Sequence, residues 1–76
     1  MELTPEQIAE LEQTLPPAFA RTEVPRLLGG VISSGRLANL DSAGEGPPRF
    51  YIGRKAGYLR RPFIEWMRAR SAKRTA

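Results

Sequence analysis

Apolar residues recur at helical spacing over the first fifteen positions and again over the last third of the chain. Between them, short apolar clusters are punctuated by glycine and proline pairs. In the first segment Ile8, Leu11 and Leu15 fall on one stripe, while Glu2, Glu6, Glu10 and Gln13 share the opposite side. Its start is well marked. Thr4 is placed as N-cap, Pro5 as the first helical residue, Gln7 completes a Thr-x-x-Gln capping box, and Leu3 with Ile8 forms the hydrophobic staple. Pro16-Pro17 ends the helix, so the spacing predicts a helix over about 3–15. A stripe this narrow favours bracing the rest of the domain over forming a dimer contact.

Phe19 leads into a second, shorter helix capped by Thr22, with Glu23 and Pro25 in its first turn and Val24, Leu27 and Leu28 on its buried side. Gly29-Gly30 supplies a tight turn. Ser33 then caps a third helix with Ile32 and Leu37 as its staple; Leu37, Leu40 and Ala43 face inward, Gly44 takes the C′ position, and Pro47-Pro48 block continuation. Residues 22–43 thus read as two short helices joined by a glycine turn, the helix-turn-helix pattern.

The period changes next. Arg49-Phe50-Tyr51-Ile52 has strand character, and Tyr58-Leu59-Arg60 can return antiparallel to it around a Gly53-Arg54-Lys55-Ala56-Gly57 turn with Arg54 and Lys55 at the tip. Pro62 opens a final helix whose apolar face carries Phe63, Trp66 and Met67, with Ile64 at its edge; Trp66 is expected as a core anchor. The fold class expected is mostly α with a small β-hairpin (α+β): a winged helix-turn-helix with an extra N-terminal helix. Its parts are a capped helix and proline linker at 1–17, the domain proper at 18–70 and a basic flexible tail at 71–76.

Composition narrows the chemistry. Seventy-six residues make one small domain, and with no cysteine and no histidine there is no disulfide framework, Cys- or His-based metal centre or His-based triad. Ser33 and Ser34 lack a base, Glu6 and Glu10 form a solvated helix face, and Gly44-Glu45-Gly46 is followed by prolines rather than the helix of a dinucleotide site. Gly53-Arg54-Lys55 lacks the ending of a phosphate loop. Neither an enzyme nor a cofactor is expected. No apolar run approaches the roughly 18 residues needed to span a bilayer, and the acidic start does not read as a secretory signal, so a cytoplasmic setting without membrane contact is expected.

The charge of +4 is polarised. Residues 1–47 set three arginines against seven carboxylates for a net −4, whereas residues 48–76 set nine cations against Glu65 alone for a net +8. Such a field attracts polyanions, and double-stranded DNA is the expected partner. On the third helix, about residues 34–43, Ser34, Arg36 and Asn39 are candidates for reading bases in the major groove, where Arg pairs with guanine and Asn with adenine. Arg54 and Lys55 suit phosphate or the minor groove, and Arg21, Thr22, Ser33, Arg49 and Arg60 are further candidates of that kind. The plain alternatives are a polar outer helix face and an ordinary soluble turn.

The run Leu37-Ala38-Asn39-Leu40-Asp41-Ser42-Ala43-Gly44-Glu45-Gly46-Pro47, followed by Phe50-Tyr51-Ile52-Gly53-Arg54-Lys55, Tyr58 and Ile64-Glu65-Trp66-Met67, resembles the excisionase and AlpA-like DNA-binding proteins of phages and mobile elements. The resemblance covers about residues 19–70 and implies a MerR-type winged helix-turn-helix, with helix 34–43 in the major groove and the 53–57 turn as the wing. It also implies cooperative binding and bending of DNA in aid of an integrase, with self-association on DNA, or regulation of mobile-element genes on the same fold. Asp41 stands where this group often carries a basic residue, and Gly35 loosens the first turn of the reading helix. A reading of another class is a protein-interaction module that docks a partner on its acidic N-terminal helix. Another is a DNA-recognition piece of a packaging assembly.

Overall fold

The computed structural model describes residues 3–72. Helix α1 spans Pro5–Thr14 and begins with the expected capping box: Gln7 N donates to Thr4 Oγ1 at 3.2 Å and Thr4 N to Gln7 Oε1 at 2.9 Å. It ends before Pro16, with Leu15 N donating back to Leu11 O at 2.9 Å. Ile8 and Leu11 pack against the core and Leu15 is buried within it, while α1 lies against the C-terminal helix α4, Arg60–Ala72. The brace is therefore built into the domain. Ser71 and Ala72 of the expected flexible tail belong to α4; residues 73–76 of that tail, and Glu2 of the expected acidic face, lie outside the described residues.

A strand stands where the sequence predicts the approach to a helix. β1, Ala18–Ala20, pairs antiparallel with β3, Lys55–Leu59, which pairs on its other side with β2, Phe50–Ile52. The sheet is thus three-stranded, ordered β1-β3-β2, rather than a lone hairpin. A two-stranded hairpin is marginal in water, and the third strand covers an otherwise open edge of β3. Phe19 opposes Tyr58, and both point into the core.

β1 runs straight into a 3-10 turn at Arg21–Glu23 and then α2, Val24–Leu27. Thr22 does not cap: it sits inside the first turn, because strand pairing holds the chain extended through Ala20 and helical geometry starts at Arg21. α3, Ser34–Ser42, follows the Gly29-Gly30 turn and is capped as expected, Arg36 N donating to Ser33 Oγ at 3.0 Å. At its end Glu45 N donates to Leu40 O at 2.8 Å and Gly44 N to Asp41 O at 3.1 Å, the paired bonds of a Schellman close.

The hairpin is tighter than predicted. Ile52 pairs with Lys55, so only Gly53 and Arg54 form the loop, and Lys55, Ala56 and Gly57 belong to the strand. Gly53 alone in that loop has positive φ, at 62°, the pattern of a type II′ turn whose twist suits antiparallel strands. α4 begins at Arg60, two residues before Pro62, because Arg60 N donates to Pro17 O at 2.9 Å and turns the chain at the end of β3. Pro62 still falls in the first turn, where a missing N–H breaks no helical bond.

Seven buried side chains form the core: Leu15, Phe19, Val24, Leu37, Tyr58, Phe63 and Ile64. Phe63 is its aromatic hub, 5.1 Å from Phe19 edge-on and 5.2 Å from Tyr58. Trp66, expected as a core anchor, packs against this core from outside, its ring centroid 5.7 Å from that of Phe63. It is half-buried at the rim with its indole Nε1 donating to Glu45 O at 2.9 Å, and Ile64, expected at the edge, is buried. Phe50 is half-buried and lies across Gly57, where an added Cβ would stand 2.7 Å from the ring. Among the described residues no helix is long and apolar enough to cross a membrane.

Candidate functional site

At about 100° per residue, the inward positions Leu37, Leu40 and Asp41 set the outward direction of α3 near Gly35, Asn39 and Ser42. Asn39 is exposed at the centre of that face and Arg36 is exposed on one flank. Ser34, two residues from Arg36, lies on the other flank and is half-buried, so the three candidate base readers do not form one patch. The Ser33 hydroxyl is occupied as an acceptor at the cap.

Four other candidates converge. Arg21 and Thr22, from the turn after β1, and Arg54 and Lys55, from the hairpin, line one notch of about 150 Å³ together with Ala20 and Ala56. Register explains the meeting: Ala20 pairs with Gly57, which brings the end of β1 beside the hairpin end of β3. Arg54 and Lys55 are exposed and form no ion pair among the described residues.

Beneath this surface lies a cluster that gives Asp41 a role opposite to that of a misplaced surface anion. Its carboxylate is buried, and Oδ2 accepts from Arg21 Nη2 at 2.5 Å and from the Tyr58 hydroxyl at 2.7 Å. Arg21 Nε donates onward to the Tyr58 oxygen at 3.2 Å. Oδ1 has no hydrogen-bond partner; Arg49 Nη1 stands 3.7 Å away, and the Gly46 backbone presses so close that an added Cβ would overlap it. Asp41 thereby ties α3 to β3, to the turn before α2 and to the chain entering β2. The sequence does hold a signal for this, since Asp41 is four residues after Leu37 and so falls on the buried stripe.

The electrostatics follow from that geometry. Burial pushes the Tyr58 hydroxyl up to about 12, with Arg21 opposing and Asp41 adding to the shift. The Tyr58 hydroxyl and then Asp41 hold the Arg21 guanidinium more firmly protonated than usual, against the effect of burial. At the surface Arg49 Nε donates to the Tyr51 hydroxyl at 3.0 Å, which raises the arginine and lowers the tyrosine from their ordinary values. Arg60 is spent on structure: its Nη1 donates to Leu15 O at 3.1 Å and closes the end of α1. Arg21, Arg49 and Arg60 thus have partners within the chain, whereas Arg36, Arg54 and Lys55 have none among the described residues.

On the Arg36 flank of α3 a larger cleft, about 600 Å³, opens between the Gly29-Gly30 turn, α3 and α4. Leu3, Leu28, Val31, Ile32, Leu40, Trp66 and Met67 give it an apolar lining, with Arg36 and Arg70 also at its wall; Leu3 is held there by its N–H, which donates to Ser71 Oγ at 3.3 Å. Sequence reasoning placed Leu28, Ile32, Leu40, Trp66 and Met67 on apolar faces but missed the cleft, because four segments distant along the chain build it. Comparison of the chain with protein-family models, with curated proteins and with solved structures finds no match.

Proposed function

We propose that this chain is a sequence-specific double-stranded DNA-binding domain of winged helix-turn-helix type, with α3 in the major groove and the β2–β3 hairpin as the wing. The observation that carries the reading is the notch where Arg21, Thr22, Arg54 and Lys55 meet. These residues come from two distant segments and present cations, a hydroxyl and an exposed hairpin tip on one side, the chemistry by which proteins hold a phosphate backbone. Asn39, exposed at the centre of α3, is the chief base reader, and Arg36 contributes from its flank. Arg21 acts chiefly by positioning, since Asp41 and Tyr58 hold its guanidinium.

The role carried by this binding is that of an excisionase-like factor assisting an integrase, or of a regulator of mobile-element genes; both use the same surface. The interaction-module reading would use the acidic side of α1, which is exposed while the apolar stripe of that helix is turned onto the core.

A titration of the chain against a library of duplexes, repeated at several salt concentrations, tests the reading. Log K is expected to fall linearly with log[salt], with a slope near −0.9 for each of roughly three to six phosphate contacts, and one sequence class is expected to stand out. Binding that is absent, or equal for every duplex, would overturn it.

A further inference from the structure

The cleft between the Gly29-Gly30 turn, α3 and α4 is not needed for the phosphate-holding notch, and it has a distinct chemistry. Val31 at its mouth is 83% exposed, and Trp66 and Met67 on its wall are half-buried. Two guanidinium groups accompany this apolar surface. Arg36 has no ion pair among the described residues; Arg70 lies 5.7 Å from the Trp66 ring centroid and 3.5 Å from the exposed carboxylate of Glu45. A pair that exposed is readily exchanged for another carboxylate.

Charge decides between occupants. The most exposed apolar element elsewhere on the chain is the hairpin, with Ile52 at 73%, but it carries Arg54 and Lys55 beside Ile52 and would bring cations against cations. The acidic helix α1 has the right charge, but Ile8 and Leu11 are already packed on the core. Among the described residues, a second copy therefore offers no exposed helix that is both apolar and acidic. We propose that this cleft docks a short acidic amphipathic helix of a partner protein, its apolar side on Val31, Trp66 and Met67 and its carboxylates on Arg36 and Arg70. This is the helix-in-groove mode of recognition. Docking does not rest on the DNA-binding reading; only the corollary does, that a partner holding Arg36 competes with DNA for it.

Trp66 is the only tryptophan of the chain, so its emission reports on the cleft directly. The probe is a synthetic helical peptide with leucines at i, i+3, i+4 and i+7 and glutamates elsewhere, titrated into the full chain without DNA. A matched peptide with lysines for glutamates is the control. The acidic peptide is expected to shift Trp66 emission saturably and the basic one to leave it unchanged. Val31→Asp, at a position exposed enough to spare the fold, should abolish the response. Arg36→Glu with Arg70→Glu should weaken it roughly tenfold, whereas Arg61→Glu, exposed and outside the cleft, should not. An unmoved emission, equal binding of both peptides or equal loss with Arg61→Glu overturns the proposal. Saturation by dodecanoate at lower concentration than by the peptide also overturns it, in favour of a small amphipathic anion. Competition is read separately, by adding duplex DNA to the peptide complex.

Discussion

The Tyr58 hydroxyl donates to Asp41 Oδ2 at 2.7 Å, linking the middle strand of the sheet to the helix that presents Asn39. Both groups are buried, and Arg21 closes the triangle on them. The relation of hairpin to helix, on which the proposed contact with groove and backbone would depend, is thus held by one carboxylate as well as by apolar packing.

Removing that carboxylate should be costly. Asp41→Ala leaves the Tyr58 hydroxyl and the partly buried Arg21 without their anion and is expected to lose about 3 kcal/mol of stability. Tyr58→Phe removes the bond donated to Asp41 and the one accepted from Arg21 and should cost about 1.5–3 kcal/mol. Urea unfolding followed by Trp66 emission checks both, and the double variant should lose less than the sum, because the two changes share one network.

Alkaline pH should destabilise the protein through the same residue. Tyr58 ionises near 10 in the unfolded chain and near 12 in the folded one, so between those values the folded state holds the extra proton. Stability is therefore full below about pH 10, falls as pH rises towards 12, and is then lower by about 2 kcal/mol. Denaturant midpoints taken across this range should drop in the native protein and change much less in Tyr58→Phe. Tyr51→Phe should not remove the drop, since Arg49 lowers rather than raises that hydroxyl.

Two glycines should answer oppositely to alanine. At Gly46 a Cβ would overlap Asp41 Oδ1 and lie 3.1 Å from the Asp41 backbone nitrogen, so Gly46→Ala is expected to cost about 1–3 kcal/mol. At Gly35, inside α3 with open space around it, Gly35→Ala should stabilise by roughly 0.5–1 kcal/mol. Chemical denaturation distinguishes the signs.

The proposed DNA contacts should separate by type. Replacing Arg54 and Lys55 together by Ala is expected to weaken binding to all duplexes and to make the salt slope shallower by about 2, near 0.9 for each lost contact. Asn39→Ala should instead relax discrimination at one base position by about 1–3 kcal/mol, with little change in slope. Titrations of the three proteins against matched and single-substituted duplexes check this. Identical behaviour of the two variants would show that α3 does not read bases.

Local chemistry was legible in the chain. The Thr4–Gln7 box, the Ser33 cap and the Gly44 close of α3 each depend on residues a few positions apart, and the structure has all three; the hairpin turns at Gly53 as expected, but over two residues rather than five. The charge polarity and the solvent-facing Arg36, Asn39, Arg54 and Lys55 were likewise open to reading. Less legible were elements whose partner is remote. Ala18-Phe19-Ala20 has no strand pattern of its own and is extended because β3 offers an edge; Thr22 forfeits its cap for the same reason. Arg21 and Arg49 read as free cations, although each lies near an anion on a helix roughly twenty and eight positions away.

Sequence by itself determined the two ends of α1 and of α3, which half of the chain is basic, and that no cysteine or histidine chemistry is on offer, because these follow from residue type and short spacing. Tertiary structure decided the third strand, the choice of Phe63 over Trp66 as aromatic hub, the burial of Asp41 and the cleft beside Arg36. Each of those depends on what segments distant along the chain bring to one place. A buried carboxylate and an exposed one are the same letter until the neighbours that desolvate and pair it are known.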